Sequence, residues 1–167
     1  MIDLREFRDG MASLGAAVHV VTTDGPMGRA GITATAVCSV TDQPPTLLVC
    51  VNRGSYTHDH FVGNGHLCVN VLAADQQQLS ALFANREIAL EHRFELAHWG
   101  VLQTGSPVLQ DALVSFDCSI AQVKELGSHS ILFCQVQAMC RNPAARGGLL
   151  YFNRAYHGVG EDPAGCN

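Results

Sequence analysis

The sequence predicts a mainly β fold with helical additions: an antiparallel barrel carrying two or three helices. Three observations predict it. Six or seven short stretches rich in valine, threonine and isoleucine recur at hairpin spacing. Turn chemistry separates them, at Asp24-Gly25-Pro26, Pro44-Pro45 and Gly127-Ser128-His129. Helical periodicity is confined to two clear segments. A chain of 167 residues, 47% hydrophobic and 15% charged, has the length and apolar content of one domain, residues 1–167.

Residues Asp3 to Leu14 read as a helix, because Leu4, Phe7, Met11 and Leu14 recur at three and four residues. Asp3 and Glu6 have capping-box spacing, and Gly15 is a natural stop. Ala16 to Thr23 reads as a strand. Arg29 to Val40 reads as a second extended stretch with small side chains, and Thr46 to Val51 as a buried strand. Asn52 to Asn64 is a polar loop with room for a short helix. Leu67 to Leu72 is a strand, and Asp75 to Ala84 a helix with Asp75 and Gln78 as cap partners and Leu79, Leu82 and Phe83 turned inward. Glu87 to Gly105 is weakly patterned. Leu113 to Glu125 alternates, with Val114, Phe116, Cys118 and Ile120 on one face, and Ile131 to Cys140 returns beside it. Leu149 to Phe152 and Tyr156 to Val159 are short closing strands.

Composition excludes several functions. The net charge is −5, the only lysine is Lys124, and the nine arginines are scattered, so no basic stripe exists to follow a nucleic-acid backbone. No apolar run reaches membrane-spanning length. The first residues read as an amphipathic start rather than a signal peptide. Seven cysteines without a C-x-x-C pair, several inside apolar runs (Cys38, Cys50, Cys68, Cys118, Cys134), suit buried reduced thiols and a cytoplasmic setting. His58-Asp59-His60 lacks a third ligand nearby for zinc. Neither a Gly-x-Gly-x-x-Gly fingerprint in strand-turn-helix context nor a Gly-x-Ser-x-Gly elbow is present.

Three places carry chemistry. In Gly31-Ile32-Thr33-Ala34-Thr35-Ala36-Val37-Cys38-Ser39-Val40, small side chains let backbone approach another packed element, the ordinary use of such a strand, or a flat ligand. Asn52-Arg53-Gly54-Ser55 offers an amide, a guanidinium and a hydroxyl at a strand end, fit for an anion or for an ordinary polar loop, with Arg86 as a second charge. His129, at a strand break, can touch a ligand or supply a proton near neutral pH, or simply occupy a turn.

Read together, Phe7-Arg8-Asp9-Gly10-Met11-Ala12, Gly31 to Asp42, Pro44 to Cys50, Glu91-His92-Arg93-Phe94, Gly127-Ser128-His129 and Leu150 to His157 strongly resemble the flavin reductase-like family. The resemblance runs from about Phe7 to His157. It is nearest to reductase components of two-component monooxygenases, of the 4-hydroxyphenylacetate and pyrimidine-utilisation types. It implies an FMN-binding split β-barrel, a homodimer, and hydride transfer from NADH or NADPH to FMN, with FAD possible, to supply a flavin-dependent monooxygenase component. The lack of a basic cluster for a 2′-phosphate leans toward NADH. The resemblance places Thr33, Ala34, Thr35, Ser39 and Val40 beside the isoalloxazine. Asn52 and Ser55 would hold the ribityl-phosphate with Arg53 and Arg86, Phe83 would flank the flavin, and His129 and Tyr156 would face the nicotinamide. Two other readings of the scaffold remain: a flavin-dependent corrinoid reductase and a non-catalytic flavin-binding protein.

Overall fold

Residues 1–160 are described by a computed structural model, in chain order α1 (Leu4–Ala12), β1 (Ala16–Ala17), β2 (His19–Thr23), β3 (Ala30–Ala34), β4 (Val37–Asp42), β5 (Pro45–Asn52) and α2 (His58–Asn64). There follow β6 (His66–Val71), α3 (Gln77–Ala84), α4 (Leu90–Arg93), β7 (Trp99–Val101), β8 (Pro107–Leu109), β9 (Val114–Leu126), β10 (His129–Arg141), β11 (Gly148–Phe152) and β12 (Ala155–Val159). Among the described residues no helix is long and apolar enough to cross a membrane.

Seven strands form one antiparallel sheet in the order β3-β2-β6-β9-β10-β5-β4. The two edge strands are consecutive in the chain and joined only by Thr35 and Ala36. Laid flat, seven strands place their edges roughly 29 Å apart at about 4.8 Å per neighbour. The three Cα–Cα steps from Ala34 to Val37 span at most about 11 Å. The sheet therefore curls until its edges nearly meet. No ladder joins β3 to β4, so the barrel is split there. The extended stretch expected over Arg29 to Val40 is thus two strands on opposite edges, because each half pairs with a different neighbour.

The barrel interior is apolar, built from Val21, Leu47, Val49, Val51, Phe61, Leu67, Val69, Cys118, Leu132 and Cys134. The alternation expected in β9 holds for Phe116, Cys118 and Ile120, which pack on this cluster, while Val114 at the strand's start lines a cavity with Leu113 and Arg141. Its other face is buried as well: Ser115 and Asp117 lie under the Thr104–Leu109 segment, where Thr104 donates its backbone N–H to Asp117 Oδ2 at 2.7 Å. Strand β8 ends this segment and pairs with β7, which lies within the weakly patterned stretch Glu87 to Gly105. Buried Asn70 ties the layers, donating to Val20 O at 3.0 Å and accepting from Leu109 N at 2.8 Å and Ser115 Oγ at 2.8 Å. Nothing less than a full set of partners makes a buried amide tolerable.

A second apolar cluster packs α3, Phe94 and Leu109 against the barrel's outer side, with Phe83, Phe94 and Trp99 meeting edge to face. Tyr151 and Tyr156 of the three-stranded β1-β11-β12 sheet meet edge to face beside it, with ring centroids 5.2 Å apart.

Two helix caps differ from expectation. Asp3 stands at the N-cap of α1 but makes no side-chain cap bond, and α3 starts at Gln77 with Gln76 as N-cap. Gln76 instead braces the preceding turn, accepting from Ala73 N at 2.9 Å and donating to Asp111 O at 3.0 Å. Helix α1 is amphipathic as predicted, yet Leu4, Phe7, Met11 and Leu14 are all exposed.

Of the cysteines, Cys68, Cys118 and Cys134 are buried free thiols; Cys50 is half-buried and Cys38 and Cys140 are exposed, a correction for Cys50 and Cys38, the latter on the edge strand β4. Burial, and then the adjacent Asp117, push the Cys118 thiol up to about 12, so it is inert at neutral pH. Cys166 lies outside the described residues.

Candidate functional site

A cleft of about 280 Å³ opens at the split in the barrel. One wall is the end of β3 and the turn after it, Ile32 to Ala36. The end of β5 and its turn supply Asn52, Ser55 and Tyr56. The C-terminal end of α3 supplies Phe83, with Arg86 just beyond; α4 supplies Arg93, and the first residue of β10 supplies His129.

Of the residues predicted from sequence, the fold gathers Thr33, Ala34, Thr35, Asn52, Ser55, Phe83, Arg86 and His129 on this cleft. Asn52 and His129 are direct cross-strand partners, which brings the two distant motifs together. Asn52 Oδ1 accepts from Gly54 N at 2.8 Å, a local turn that leaves the amide N–H₂ free to donate. Ser55 Oγ shares a hydrogen bond with Thr57 Oγ1 at 2.8 Å. His129 Nδ1 is held by Ser128 Oγ at 2.8 Å, leaving Nε2 for a ligand. Thr33 uses its hydroxyl structurally, donating to Ser80 O of α3 at 2.5 Å.

Four predicted residues are not brought there. Ser39 lines a different cavity, of about 380 Å³, with His19, Val37, Leu47, Val69 and Phe116. Val40 is the extra residue of a β-bulge between Ser39 and Thr41 and is 45% exposed. Arg53 turns away to an ion pair with Glu125 Oε2 at 2.9 Å and donates to Gly127 O. Tyr156 packs on the second cluster, its hydroxyl sharing a hydrogen bond with Ser80 Oγ at 2.8 Å. Each is displaced for one reason: strand pairing, or a nearer partner, overrides nearness in sequence.

The small side chains of β3 serve two purposes. A Cβ at Gly31 would lie 2.6 Å from Phe83 Cε1, so this glycine admits the Phe83 ring and not a ligand. Past it, Thr33 to Ala36 face open cleft.

Sequence reading missed Tyr56 and Arg93 as site residues. Arg93 is 1% exposed and donates to the carbonyls of Ile88, Phe83 and Gly31 at 3.0, 3.2 and 3.4 Å, and to the Tyr56 hydroxyl. Its only signal was the motif Glu91-His92-Arg93-Phe94. His58 and His60 do not form a metal pair: they lie on α2, where His58 donates to Asp59 Oδ1 and contacts Ser130 Oγ at 2.9 Å. Among the described residues no cluster of His, Cys, Asp or Glu is placed to hold a metal ion.

The electrostatics of the cleft are one-sided. Arg86, Arg93 and His129 line it, and no aspartate or glutamate does, in a chain of net charge −5. Arg86 has no ion pair among the described residues. Such a cleft suits an anion carrying a flat, apolar body.

Comparison with known proteins points the same way. An Escherichia coli protein (strain E24377A) named FMN reductase (NADH) RutF is 54% identical over 159 residues, 95% of this chain and 96% of that protein. A crystal structure from Haemophilus somnus 129PT, provisionally described as a flavin reductase, is 49% identical and covers 95% of this chain and 100% of that one, with a TM-score of 0.91. BorF, the flavin reductase component of a bacterial two-component tryptophan halogenase, is 31% identical, covers 96% of this chain and 100% of its own, and has a TM-score of 0.88. The family described as flavin reductase like domain matches residues 11–160, nearly the whole described chain, and this protein belongs to it.

Proposed function

We propose that residues 1–167 form one NADH-dependent FMN reductase domain. It works as a cytoplasmic homodimer that hands reduced flavin to a separate flavin-dependent monooxygenase component. The observation that carries this reading is the cleft at the barrel split: lined by Arg86, Arg93 and His129 and by the small residues Ala34, Thr35 and Ala36, and free of carboxylates. The relatives named for FMN and NADH support the choice of flavin and reductant, BorF supports a separate component that receives reduced flavin, and the flavin reductase of a Pseudomonas putida styrene monooxygenase, a similar structure, supports a monooxygenase as that component.

The flavin supplies a ring that accepts a hydride, and the nicotinamide supplies the hydride. The chain's own residues bind and orient. β3 is a sheet edge, so its outward N–H groups are free of any ladder and can donate to the polar rim of a ring. Ala34, Thr35 and Ala36 leave room for that ring, and Phe83 closes the inner end. Asn52, Ser55 and Arg86 supply donors for a phosphate. His129 is exposed on the cleft wall with its Nδ1 engaged by Ser128, so its Nε2 is the nitrogen left to contact the nicotinamide. Holding two flat reactants face to face is most of what the reaction asks of a protein.

The cleft lies at the small end of ligand pockets. The apolar face of α1 stands uncovered. Both features support a second protomer that encloses the rest of the ligand.

Anaerobic mixing of protein, FMN and NADH tests the reading, with bleaching of the visible flavin absorbance expected and faster with NADH than with NADPH. No bleaching with either nucleotide overturns it. In His129→Ala, the rate of NADH oxidation is expected to fall more than FMN binding weakens. The opposite pattern assigns His129 to flavin binding.

A further inference from the structure

Arg93 is the only fully buried arginine or lysine among the described residues, and no carboxylate pairs with it there. Burying an unpaired cation is costly unless many acceptors surround it. Three backbone carbonyls do so, from β3, α3 and the Ile88 turn, and together they fix the guanidinium plane. The fourth acceptor is the Tyr56 hydroxyl, and the guanidinium carbon lies 5.5 Å from the Tyr56 ring centroid.

The direction of that last bond matters. A guanidinium has donors and no acceptor, so the phenolic oxygen receives and its own hydrogen stays unspent. No acceptor for it exists among the described residues, since the Tyr56 hydroxyl makes only this one bond. Tyr56 is 48% exposed and lines the cleft, as do its neighbour Ser55 and Arg86. A side chain with this exposure ordinarily samples several rotamers; the bond to an immobile arginine selects one.

We propose that Arg93 positions Tyr56 so that the phenolic O–H reads the phosphate of the bound flavin, making the pair a determinant of preference for a phosphomonoester flavin over an unphosphorylated one. The inference rests on the reading of the cleft as an FMN site. An anion there also offsets the unpaired charge of Arg93, which the fold leaves without a carboxylate. Tyr56 is a binding residue, and Arg93 acts through it.

The test measures dissociation constants of FMN and riboflavin for the full chain by quenching of flavin fluorescence. Wild type is expected to prefer FMN. Tyr56→Phe keeps the ring and removes the donor; its FMN-over-riboflavin preference falls about tenfold, the size of one lost hydrogen bond to a charged group. Arg93→Lys keeps the charge but not the fork, and lowers the preference in the wild-type background. In the Tyr56→Phe background it lowers it no further, because the two residues act as one unit. A role for Arg93 in folding alone would move both flavins equally and would not vanish in that background. A wild type that binds riboflavin as tightly as FMN overturns the phosphate reading of the cleft and this proposal with it. A wild type that prefers FMN, with a Tyr56→Phe variant that keeps the preference, overturns the Tyr56 assignment alone.

Discussion

Two cavities meet at the connection Thr35–Ala36, and their chemistry is opposite. The cleft that takes Ile32 to Ala36 as one wall also has Arg86, Arg93 and His129 on its walls and no acid. The groove that begins at Val37 is lined by Leu47, Val69, Val71, Phe116 and Val136, with Asp42 and no arginine or lysine. The groove is the larger, about 380 against 280 Å³. Size therefore does not mark the site for a phosphate-bearing ligand; the placing of charge does. One strand edge separates them, so a shift of two residues along the chain exchanges a polar setting for an apolar one.

The comparison breaks most readily at the wall the cleft shares with the core. Phe83→Ala removes a fully buried ring that meets Phe94 at 5.1 Å and Trp99 at 5.7 Å. It is expected to lower the unfolding free energy by about 3–5 kcal/mol, read from urea denaturation. Unchanged stability would detach the cleft from the second cluster. Gly31→Ala tests the same contact from the other side. The new methyl has no room beside Phe83, and a cost of about 1–3 kcal/mol follows from overpacking.

Charge placement is the next test. Arg86→Ala should weaken FMN binding about tenfold, as loss of a charge-assisted contact does. Asp42→Ala, in the groove, should change it less than about twofold, the usual scale of a distant surface charge. Equal effects would erase the distinction between the cavities.

The smallest effect is a pH dependence in the groove. Burial lowers the His19 pKa below its ordinary value, while its Nδ1–H donation to Ala34 O at 3.0 Å opposes the shift. The unfolded chain binds the proton more readily, so stability should fall as pH drops below about 6.5 and level off beneath the folded-state pKa. Thermal melts of His19→Gln should show a shallower decline over that window. An identical slope would mean that other groups set it.

Much of the fold is legible locally. Alternation in β9 fixes which side chains face the barrel, and the Leu79–Phe83 spacing fixes the buried face of α3, since both follow from backbone periods of two and 3.6 residues. The site is legible only in part. Thr33 to Thr35, Asn52, Ser55, Phe83, Arg86 and His129 each have the right chemistry in a plausible local setting, and the fold collects them. Ser39 and Val40 read as their continuation because the sequence does not mark where one strand edge ends and the other begins. Arg53 and Tyr156 found nearer partners in Glu125 and Ser80.

What the sequence determined by itself was the menu of elements and the chemical types available to bind a flat anion. Only the tertiary structure decided which of them meet. Tyr56 and Arg93 stand 37 residues apart, and Asn52 reaches His129 through the pairing of β5 with β10. Those encounters depend on a sheet of seven strands curling onto itself. That closure is a balance of non-local packing and chain entropy, which no short window of sequence contains.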